Sequence, residues 1–480
     1  MEKVKKIVWT MIMAMSAMLC NSTVAFAAEK GAEANIGETL PLVFCLPFAG
    51  MLLCIAICPL VIGPLWEKKK HYAVIFWSLA FIIPFAVYAG VATAGEEVLE
   101  VIFGDYITFI VLLFGLFCVA GNICLEGDLI GTPKLNVLLL LIGTLLSSWI
   151  GTTGASMVMI RPLIRANKWR HRKVQIVIFF IFLVSNIGGC LTPVGDPPLL
   201  MGFMKGVDFF WSIHLLPVMI LNVALLLIMF FVLDSRAYKK DLLDGAKPEI
   251  KGNKARLHLT GAHNIIFLVV IIGAVILSGI LPKMVPFFAK SIHIFGKAEF
   301  GFESIREVIL ILLAAFLSFK TTKKEVREKN NFTWEAIEEV AVLFIGIFIT
   351  MIPALLILKA QGSSLGIKEP WQFFWITGAL SSFLDNTPTY LVFFTTAVSL
   401  GFSDGIKVIG GHTPQIILMA ISCGAVFMGA VTYIGNAPNF MVRSIAEENG
   451  IKMPSFFGYL LWSVCCLIPV FIIDMIIFFL

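Results

Sequence analysis

The chain has 480 residues, of which 59% are hydrophobic, 14% are charged and 42 are phenylalanine. A soluble globular protein has about 45–50% apolar and about 25% charged residues, so this composition excludes that class and predicts an all-α polytopic membrane protein within a lipid bilayer. The net charge of +5 comes from bases in short loops, which indicate topology rather than a surface for nucleic acid, so no nucleic-acid partner is expected.

The N-terminus has the three parts of a secretory signal peptide. Three lysines precede an apolar run over residues 7–19, and the small-residue site Ala25-Phe26-Ala27 follows. We therefore predict a signal peptide at residues 1–27, cleaved after Ala27. The alternative is an uncleaved first helix, for which the apolar run is short.

The first half of the mature chain, residues 28–233, begins with three spans. They cover residues 40–62, 72–93 and 101–122, and a loop with Glu96, Glu97 and Glu100 separates the second from the third. The next two apolar segments, 135–150 and 152–164, are each too short to cross a hydrocarbon core of about 30 Å. They predict a re-entrant hairpin at 135–164 that opens to the cytoplasm. Its tip is Gly151, Thr152 and Thr153.

A broken span follows this hairpin. Apolar residues 174–191 run outward and reach a stretch whose glycine and prolines cannot continue a helix. The residues of this break are Thr192, Gly195, Asp196, Pro197 and Pro198. Residues 213–233 then return to the cytoplasmic side and lead into a polar linker, 234–263.

The second half, residues 264–480, has the same order of features. After three crossings, residues 373–400 predict a second hairpin, and a second broken span follows it. The hairpin tip holds Asp385, Asn386, Thr387 and Pro388, and the break holds Thr432, Gly435, Asn436 and Pro438.

The two halves match in sequence at both features. Leu146-Ser147-Ser148 before the first tip corresponds to Leu380-Ser381-Ser382 before the second, and the two breaks share a Thr, a Gly, an Asp or Asn, and a final Pro. Five crossings separate the hairpins, and an odd number inverts the second, so it should open to the outside. The fold predicted is two inverted-topology repeats, each with a re-entrant hairpin and a broken transmembrane helix. Lys and Arg are concentrated in the loops assigned to the cytoplasm, in agreement with this topology.

Broken segments at matching positions of two halves indicate the binding site of a transporter. Interrupted backbone is tolerated at membrane depth where it faces protein or a watery cavity, so the four breaks predict one shared polar site. Neutral oxygen ligands suit a hard cation such as sodium. The candidates are Thr152, Thr153, Asn386, Thr387, Thr192, Thr432 and Asn436.

Two carboxylates, Asp385 and Asp196, change the character of this site. Each would bind a cation when ionised, and partial desolvation would allow a proton to compete with that cation. A group that holds either a cation or a proton suffices for cation/proton exchange. We expect Asp385 to be the principal carrier and Asp196 the second, with sodium the hypothetical metal at both. The alternative is helix capping, which is stronger for Asp196 because Pro197 follows it.

Other polar residues are weaker candidates. Asp474 lies in an unbroken span, where a packing or lipid-edge role is expected. Lys205 is expected to extend toward the membrane surface. His214, His293 and His412 fall at loop edges, and the ten cysteines lie almost entirely in apolar segments without metal-ligand spacing, so no resident cofactor is predicted.

Several stretches resemble the ion transporter superfamily, which includes dicarboxylate/sodium symporters, arsenite permeases, citrate transporters and NhaD-type sodium/proton antiporters. They are 150–156, 185–189, 195–198 and 434–439, and they look most like the branch of sodium/proton antiporters and citrate transporters. The dicarboxylate branch has Ser-Asn-Thr at both tips, where this chain has Gly151-Thr152-Thr153 and Asp385-Asn386-Thr387. This departure favours a cation or proton role over a carboxylate substrate. The resemblance implies a homodimer with a scaffold and a moving transport domain, working as an elevator.

The sequence therefore predicts a secondary active transporter of the cell (inner) membrane that exchanges sodium or lithium for protons by elevator-type alternating access. The alternative is sodium- or proton-coupled transport of citrate or a dicarboxylate. A remote alternative is an intramembrane enzyme, for which the sequence lacks His-Glu-x-x-His and a clear Ser, His or Cys catalytic set. We therefore expect no enzymatic activity.

Overall fold

The computed structural model describes residues 36–127, 129–247, 258–330 and 332–480. The predicted signal peptide, 1–27, lies outside these ranges, as does the middle of the predicted linker. Within the described ranges, nine helical segments are long and apolar enough to span a membrane. The prediction of a multi-pass helical membrane protein is confirmed.

The helices up to the linker are α1 (Ile36–Thr39), α2 (Leu46–Ala89), α3 (Val91–Glu100), α4 (Ile107–Gly121), α5 (Pro133–Ile150), α6 (Thr152–Ala166), α7 (Val174–Leu183), α8 (Pro197–Met204) and α9 (Leu216–Leu243). The helices after it are α10 (Asn264–Met284), α11 (Phe302–Thr321), α12 (Lys324–Lys329), α13 (Glu335–Gln361), α14 (Pro370–Ser381), α15 (Asn386–Ser399), α16 (Gln415–Met428), α17 (Ala437–Glu448) and α18 (Phe456–Asp474).

Three antiparallel two-stranded ribbons lie between the helices. They pair β1 (Cys124–Glu126) with β2 (His258–Thr260), β3 (Ser291–Phe295) with β4 (Ala298–Gly301), and β5 (Ile406–Val408) with β6 (Gly411–Thr413). The register of the first ribbon places Leu125 opposite Leu259. This ribbon joins the chain before the first hairpin to the end of the linker.

Helix α2 contains two antiparallel spans joined at a kink. The backbone leaves the helical region at Ile62, and the two arms then pack side by side. Trp77 Nε1 lies 3.3 Å from Cys54 Sγ, and the Tyr88 hydroxyl donates to the carbonyl of Thr39 at 2.9 Å. The first contact joins the middles of the two arms, and the second joins the end of the second arm to α1.

The acidic stretch after α2 is helical, so the prediction of a loop there is wrong. Gly90 separates α2 from α3, and α3 continues through π-helical turns at Val101–Tyr106 into α4. The stretch with Glu96 and Glu97 contains no proline, and glutamate has a good helix propensity. The local sequence is therefore compatible with a helix that extends the span.

The segments predicted as hairpins are pairs of helices that meet at a tip. Helices α5 and α6 join at Gly151, whose φ of 78° favours glycine. Thr132 caps α5 by accepting from the Leu135 N–H at 3.3 Å. In the second pair, Glu369 and Gln372 form a capping box at the start of α14, so both pairs have defined ends.

The arms that precede the two breaks, α7 and α16, are deeply buried. After α7 the chain forms a short 3-10 helix at Ile187–Leu191, leaves helical geometry and starts α8 at Pro197. After α16 it repeats this pattern through Gly429–Val431. The residues before the two restarts have nearly the same backbone: Asp196 has φ −144° and ψ 138°, and Asn436 has φ −149° and ψ 139°.

Helix α9 continues through the first part of the segment predicted as a linker. Its polar end is held by the buried Arg170, which donates to Asp234 at 2.7 Å and to Asp241 at 3.0 Å. Asp234 also accepts from Asn136 of α5 at 3.0 Å. These bonds satisfy buried charges that would otherwise be costly, and they fix the open end of the first helix pair to α9.

Candidate ion-binding site

All four interrupted segments meet at the carboxylate of Asp196. One of its oxygens accepts from the Thr152 hydroxyl at 3.0 Å, and the other accepts from Asn386 Nδ2 at 2.7 Å. Asn436 Nδ2 lies 3.4 Å from the first oxygen. Asp196 is only 1% exposed, so a buried carboxylate joins two tips and two breaks.

Each of these four residues stands at the start of a helix. Thr152 and Asn386 are the first residues of α6 and α15, and Asp196 and Asn436 precede α8 and α17. The N-terminus of a helix has free N–H groups and a partial positive charge, which stabilise negative charge nearby. The arrangement therefore offsets part of the cost of burying a negative charge at Asp196.

The side chain of Asp196 does not cap its own helix. No N–H of α8 donates to it, and its oxygens face the other three segments instead. The capping role that Pro197 suggests in the sequence is therefore absent from the described contacts of this side chain.

Asp385 occupies a different position. It is half-buried and caps α15 by accepting from the Thr387 N–H at 3.0 Å. No hydrogen bond joins it to Asp196 among the described contacts. The structure thus places Asp196 at the meeting point and Asp385 at the edge of the second tip, whereas the sequence suggested the opposite ranking.

The two break threonines fasten each break to its neighbouring tip. Thr192 donates to the carbonyl of Ser148, and Thr432 donates to the carbonyl of Ser382 at 2.5 Å. These are equivalent contacts in the two halves. Because both hydroxyl protons are bound to backbone, we interpret these threonines as positioning groups for the breaks.

The glycines of the two breaks also have equivalent surroundings. A side chain on Gly195 would clash with the carbonyl of Gly189, and one on Gly435 would clash with the carbonyl of Gly429. Each break therefore needs a glycine where its backbone passes close to the preceding turn.

The prolines stand where a helix tolerates them. Pro197 and Pro438 lie in the first two positions of α8 and α17, and Pro198 and Pro388 also lie in first turns. The N–H that proline lacks has no helical partner in a first turn.

Two buried oxygens at the second tip lack a hydrogen-bond partner among the described residues. They are Asn386 Oδ1 and Thr387 Oγ1. A buried polar atom without a partner is costly and calls for an explanation such as a bound ion. The Asn386 amide contacts Asp196 through its nitrogen, so its oxygen lies near that carboxylate without facing it, and both unpartnered oxygens are available to a cation. Thr153 is half-buried next to Thr152.

Asn436 differs from its sequence-based role. It was expected to supply an oxygen ligand, but its nitrogen is the atom that faces Asp196. The nitrogen also donates to Ser185 O at 3.2 Å and to Asn186 Oδ1 at 3.1 Å. The amide has two protons for these three acceptors, so its longest contact, to Asp196, is a shared and weak one.

Two asparagines that the sequence motifs do not single out, Asn186 and Asn439, also lie at the site. Asn186 Nδ2 donates to Asn439 Oδ1 at 2.7 Å, and both residues are fully buried. The available signal was a Ser185-Asn186 pair that interrupts the apolar run of α7, and an asparagine shortly after the second break. Buried amides in apolar segments need partners, which would have directed attention to them.

The weaker candidates have these surroundings. The ammonium of Lys205 binds both carboxylate oxygens of Asp105 at 2.8 Å. Asp474 is buried and accepts from Asn222 Nδ2 at 2.9 and 2.8 Å, which is a packing role rather than a lipid-edge one. Of the loop-edge histidines, His214 and His293 are exposed and His412 is half-buried.

Membrane-spanning helices, together with interrupted segments that meet at a buried polar group, define a membrane transporter. Residues 37–479 match a family whose description is "Putative citrate transport". The chain belongs to this family, which confirms its resemblance to the citrate transporter branch. No curated protein matched the chain.

Proposed function

We propose that the protein is a secondary active transporter of the cell (inner) membrane that exchanges sodium or lithium for protons, with Asp196 binding each in turn. The observation that carries this proposal is the position of Asp196, a buried carboxylate at the meeting point of four interrupted segments. Within the described ranges, no Lys, Arg or His forms an ion pair with it. A carboxylate without a basic partner needs a cation or a proton when it is shielded from water.

The second tip supplies further ligands for a cation. The unpartnered oxygens of Asn386 and Thr387 are neutral and hard, and such oxygens suit sodium rather than a transition metal. One ionised carboxylate balances one monovalent ion. A proton on Asp196 removes that balance, so proton and cation compete for the same group.

The repeated contacts of the two halves support an inverted repeat with alternating access. The same hydroxyl-to-carbonyl bond, from Thr192 to Ser148 and from Thr432 to Ser382, fixes a break to a tip in each half. We propose that the tips and breaks move together as one transport domain against the other helices, as an elevator within a homodimer.

Coupled transport of citrate or a dicarboxylate is the second candidate. It is favoured by the description of the family and by the four helix N-termini, which attract anions. A carboxylate substrate beside Asp196 would meet a like charge, so it would need bound cations or a protonated Asp196. Cation/proton exchange requires no such addition, and we prefer it. The family is one of transporters, and we propose no enzymatic activity.

Flux measurements on proteoliposomes separate these candidates. An imposed pH gradient should collapse when sodium or lithium is added without any carboxylate, and potassium serves as the control cation. Uptake of labelled citrate should be negligible under the same conditions. Citrate uptake that requires sodium or protons, with no gradient collapse by sodium alone, would contradict our first choice and establish the second.

A further inference from the structure

The two amides that contact Asp196 are held in different ways. Asn436 and Asn386 both direct Nδ2 toward the carboxylate, at 3.4 and 2.7 Å. A carboxylate can only accept, so each amide must present its nitrogen while Asp196 is ionised. The difference lies in what surrounds the rest of each amide.

Asn436 is oriented by a chain of other amides. Asn439 Nδ2 donates to the carbonyls of Gly429 and Thr432 at 2.8 and 2.9 Å, which fixes its oxygen toward Asn186. Backbone carbonyls accept only, so this orientation is unambiguous.

Asn186 passes that orientation on. Its Nδ2 donates to Ile181 O at 2.8 Å and to Asn439 Oδ1 at 2.7 Å, which uses both of its protons. Its Oδ1 is therefore the atom that faces Asn436, and it accepts from Asn436 Nδ2 at 3.1 Å. Reversing the Asn436 amide would place two oxygens against each other at this contact.

Asn386 has no such fixation. Its only described side-chain bond is the one to Asp196, and its Oδ1 is buried without a partner. A reversal of this amide breaks no other hydrogen bond. It would direct Oδ1 toward Asp196 and anything bound there.

We propose that Asn186 and Asn439 are positioning residues that, with the Ser185 carbonyl, hold Asn436 with its nitrogen toward Asp196, and that Asn386 is the amide that reverses when the carboxylate takes up its ion. With a cation bound, Asn386 Oδ1 becomes a ligand. With a proton on Asp196, the acid O–H donates to that same oxygen. The inference rests on the proposed function and assigns different roles to two similar amides.

The two roles predict different dependences on pH. In Asn186→Ala the Ser185 carbonyl still accepts from the Asn436 amide, so the change in pH dependence should be small. Asn436→Ala removes the nitrogen that faces the ionised carboxylate, so protons compete better with sodium. A hydrogen bond to a charged group corresponds to about tenfold in an equilibrium constant, so the pH at which sodium affinity reaches its plateau should rise by about one unit. The sodium affinity at that plateau should be unchanged, because at alkaline pH Asp196 is ionised without this hydrogen bond.

Asn386→Ala removes a ligand of the cation, so the sodium affinity of this variant at the plateau should fall about tenfold and stay low at alkaline pH.

The experiment measures the rise in melting temperature of the purified full-length protein with sodium or lithium across a series of pH values, which requires no turnover. Wild type, Asn186→Ala, Asn436→Ala and Asn386→Ala are compared. Asn330→Ala is the matched control, because Asn330 is a buried amide that binds two backbone carbonyls away from this site. It should lower the melting temperature without changing the sodium response.

The supporting result is rescue at alkaline pH for Asn436→Ala but not for Asn386→Ala, with a smaller displacement of the pH profile in Asn186→Ala. Failure of alkaline rescue in Asn436→Ala, an unchanged pH profile in that variant, or rescue of Asn386→Ala would overturn the inference while the proposed function stands. A wild type that responds to neither sodium nor lithium at any pH would overturn the proposed function, and this inference with it.

Discussion

Replacing each of the two acids by asparagine separates their roles. Asp196→Asn and Asp385→Asn are the same nearly isosteric change, made at the meeting point and at the cap of α15. In Asp196→Asn the titrating group is lost, so neither a proton nor the charge that balances a cation remains. We expect sodium-driven proton movement to vanish. In Asp385→Asn the new side chain can still accept from the Thr387 N–H, because asparagine and aspartate cap helices about equally well.

The contacts of the two sites also give the cost in stability. In Asp196→Asn the new amide nitrogen replaces a carboxylate oxygen that accepts a hydrogen bond, so two donors face each other at that contact. This lowers the free energy of unfolding by about 1–3 kcal/mol if no neighbouring group reorients. Reversal of Asn386 can remove that conflict, so the variant should fold. Asp385→Ala, which deletes the cap, should cost about 1 kcal/mol, and Asp385→Asn should cost a few tenths of that.

The assay reconstitutes wild type and both variants, imposes a pH gradient and follows its collapse on addition of sodium or lithium. Melting temperatures of the same preparations check folding. Full exchange in Asp196→Asn, or abolished exchange in Asp385→Asn with Asp196→Asn active, would refute the ranking derived from the structure and return Asp385 to the principal role.

Three further predictions concern a cation ligand, a buried ion pair and the membrane topology. Thr387→Ala removes an unpartnered oxygen without removing charge, so sodium affinity in flux assays should fall by about tenfold or less while its pH dependence stays as in wild type. Arg170→Met removes the buried partner of Asp234 and leaves Asp241 with only the exposed Arg172, and it should cost about 3–5 kcal/mol in chemical denaturation. Lys324→Met at the exposed Lys324–Glu328 pair should cost less than about 1 kcal/mol; equal losses would contradict the burial argument. The topology can be tested with single cysteines in a background without reactive thiols. A cysteine in place of the exposed Lys247 or Lys324 should react with an impermeant reagent only from the cytoplasm, and one in place of the exposed Ser363 should react only from outside. The reverse pattern would reject the inverted topology.

Several structural features could be predicted from the sequence because local chemistry determines them. The composition alone requires a helical membrane protein. Gly151 lies between two helices at a positive φ, which is costly for residues other than glycine, so this glycine marks the tip. Pro197 and Pro438 mark helix starts, because proline lacks the N–H that a helix interior needs. These signals depend on a few neighbouring residues.

The ranking of the two acids could not be predicted, because it depends on contacts between distant segments. Both aspartates precede a helix, and the sequence cannot decide which carboxylate turns back to cap it. Asp196 turns away because Thr152 and Asn386 offer donors from other segments, whereas Asp385 receives the Thr387 N–H. The orientation of Asn436 and the pairing of Lys205 with Asp105 likewise depend on residues far away in the chain.

The central claim is that one carboxylate, Asp196, binds either a cation or a proton. The most direct test is to add sodium to the purified protein in weakly buffered detergent solution and to measure the protons released, since a cation that replaces a proton must expel it. We predict release approaching about one proton per protein at acidic pH, declining as pH rises and Asp196 becomes ionised before sodium is added. Release should be retained in Asp385→Asn and absent from Asp196→Asn. Release that is equal in all three proteins, or absent from wild type at every pH although sodium binds, would contradict the claim.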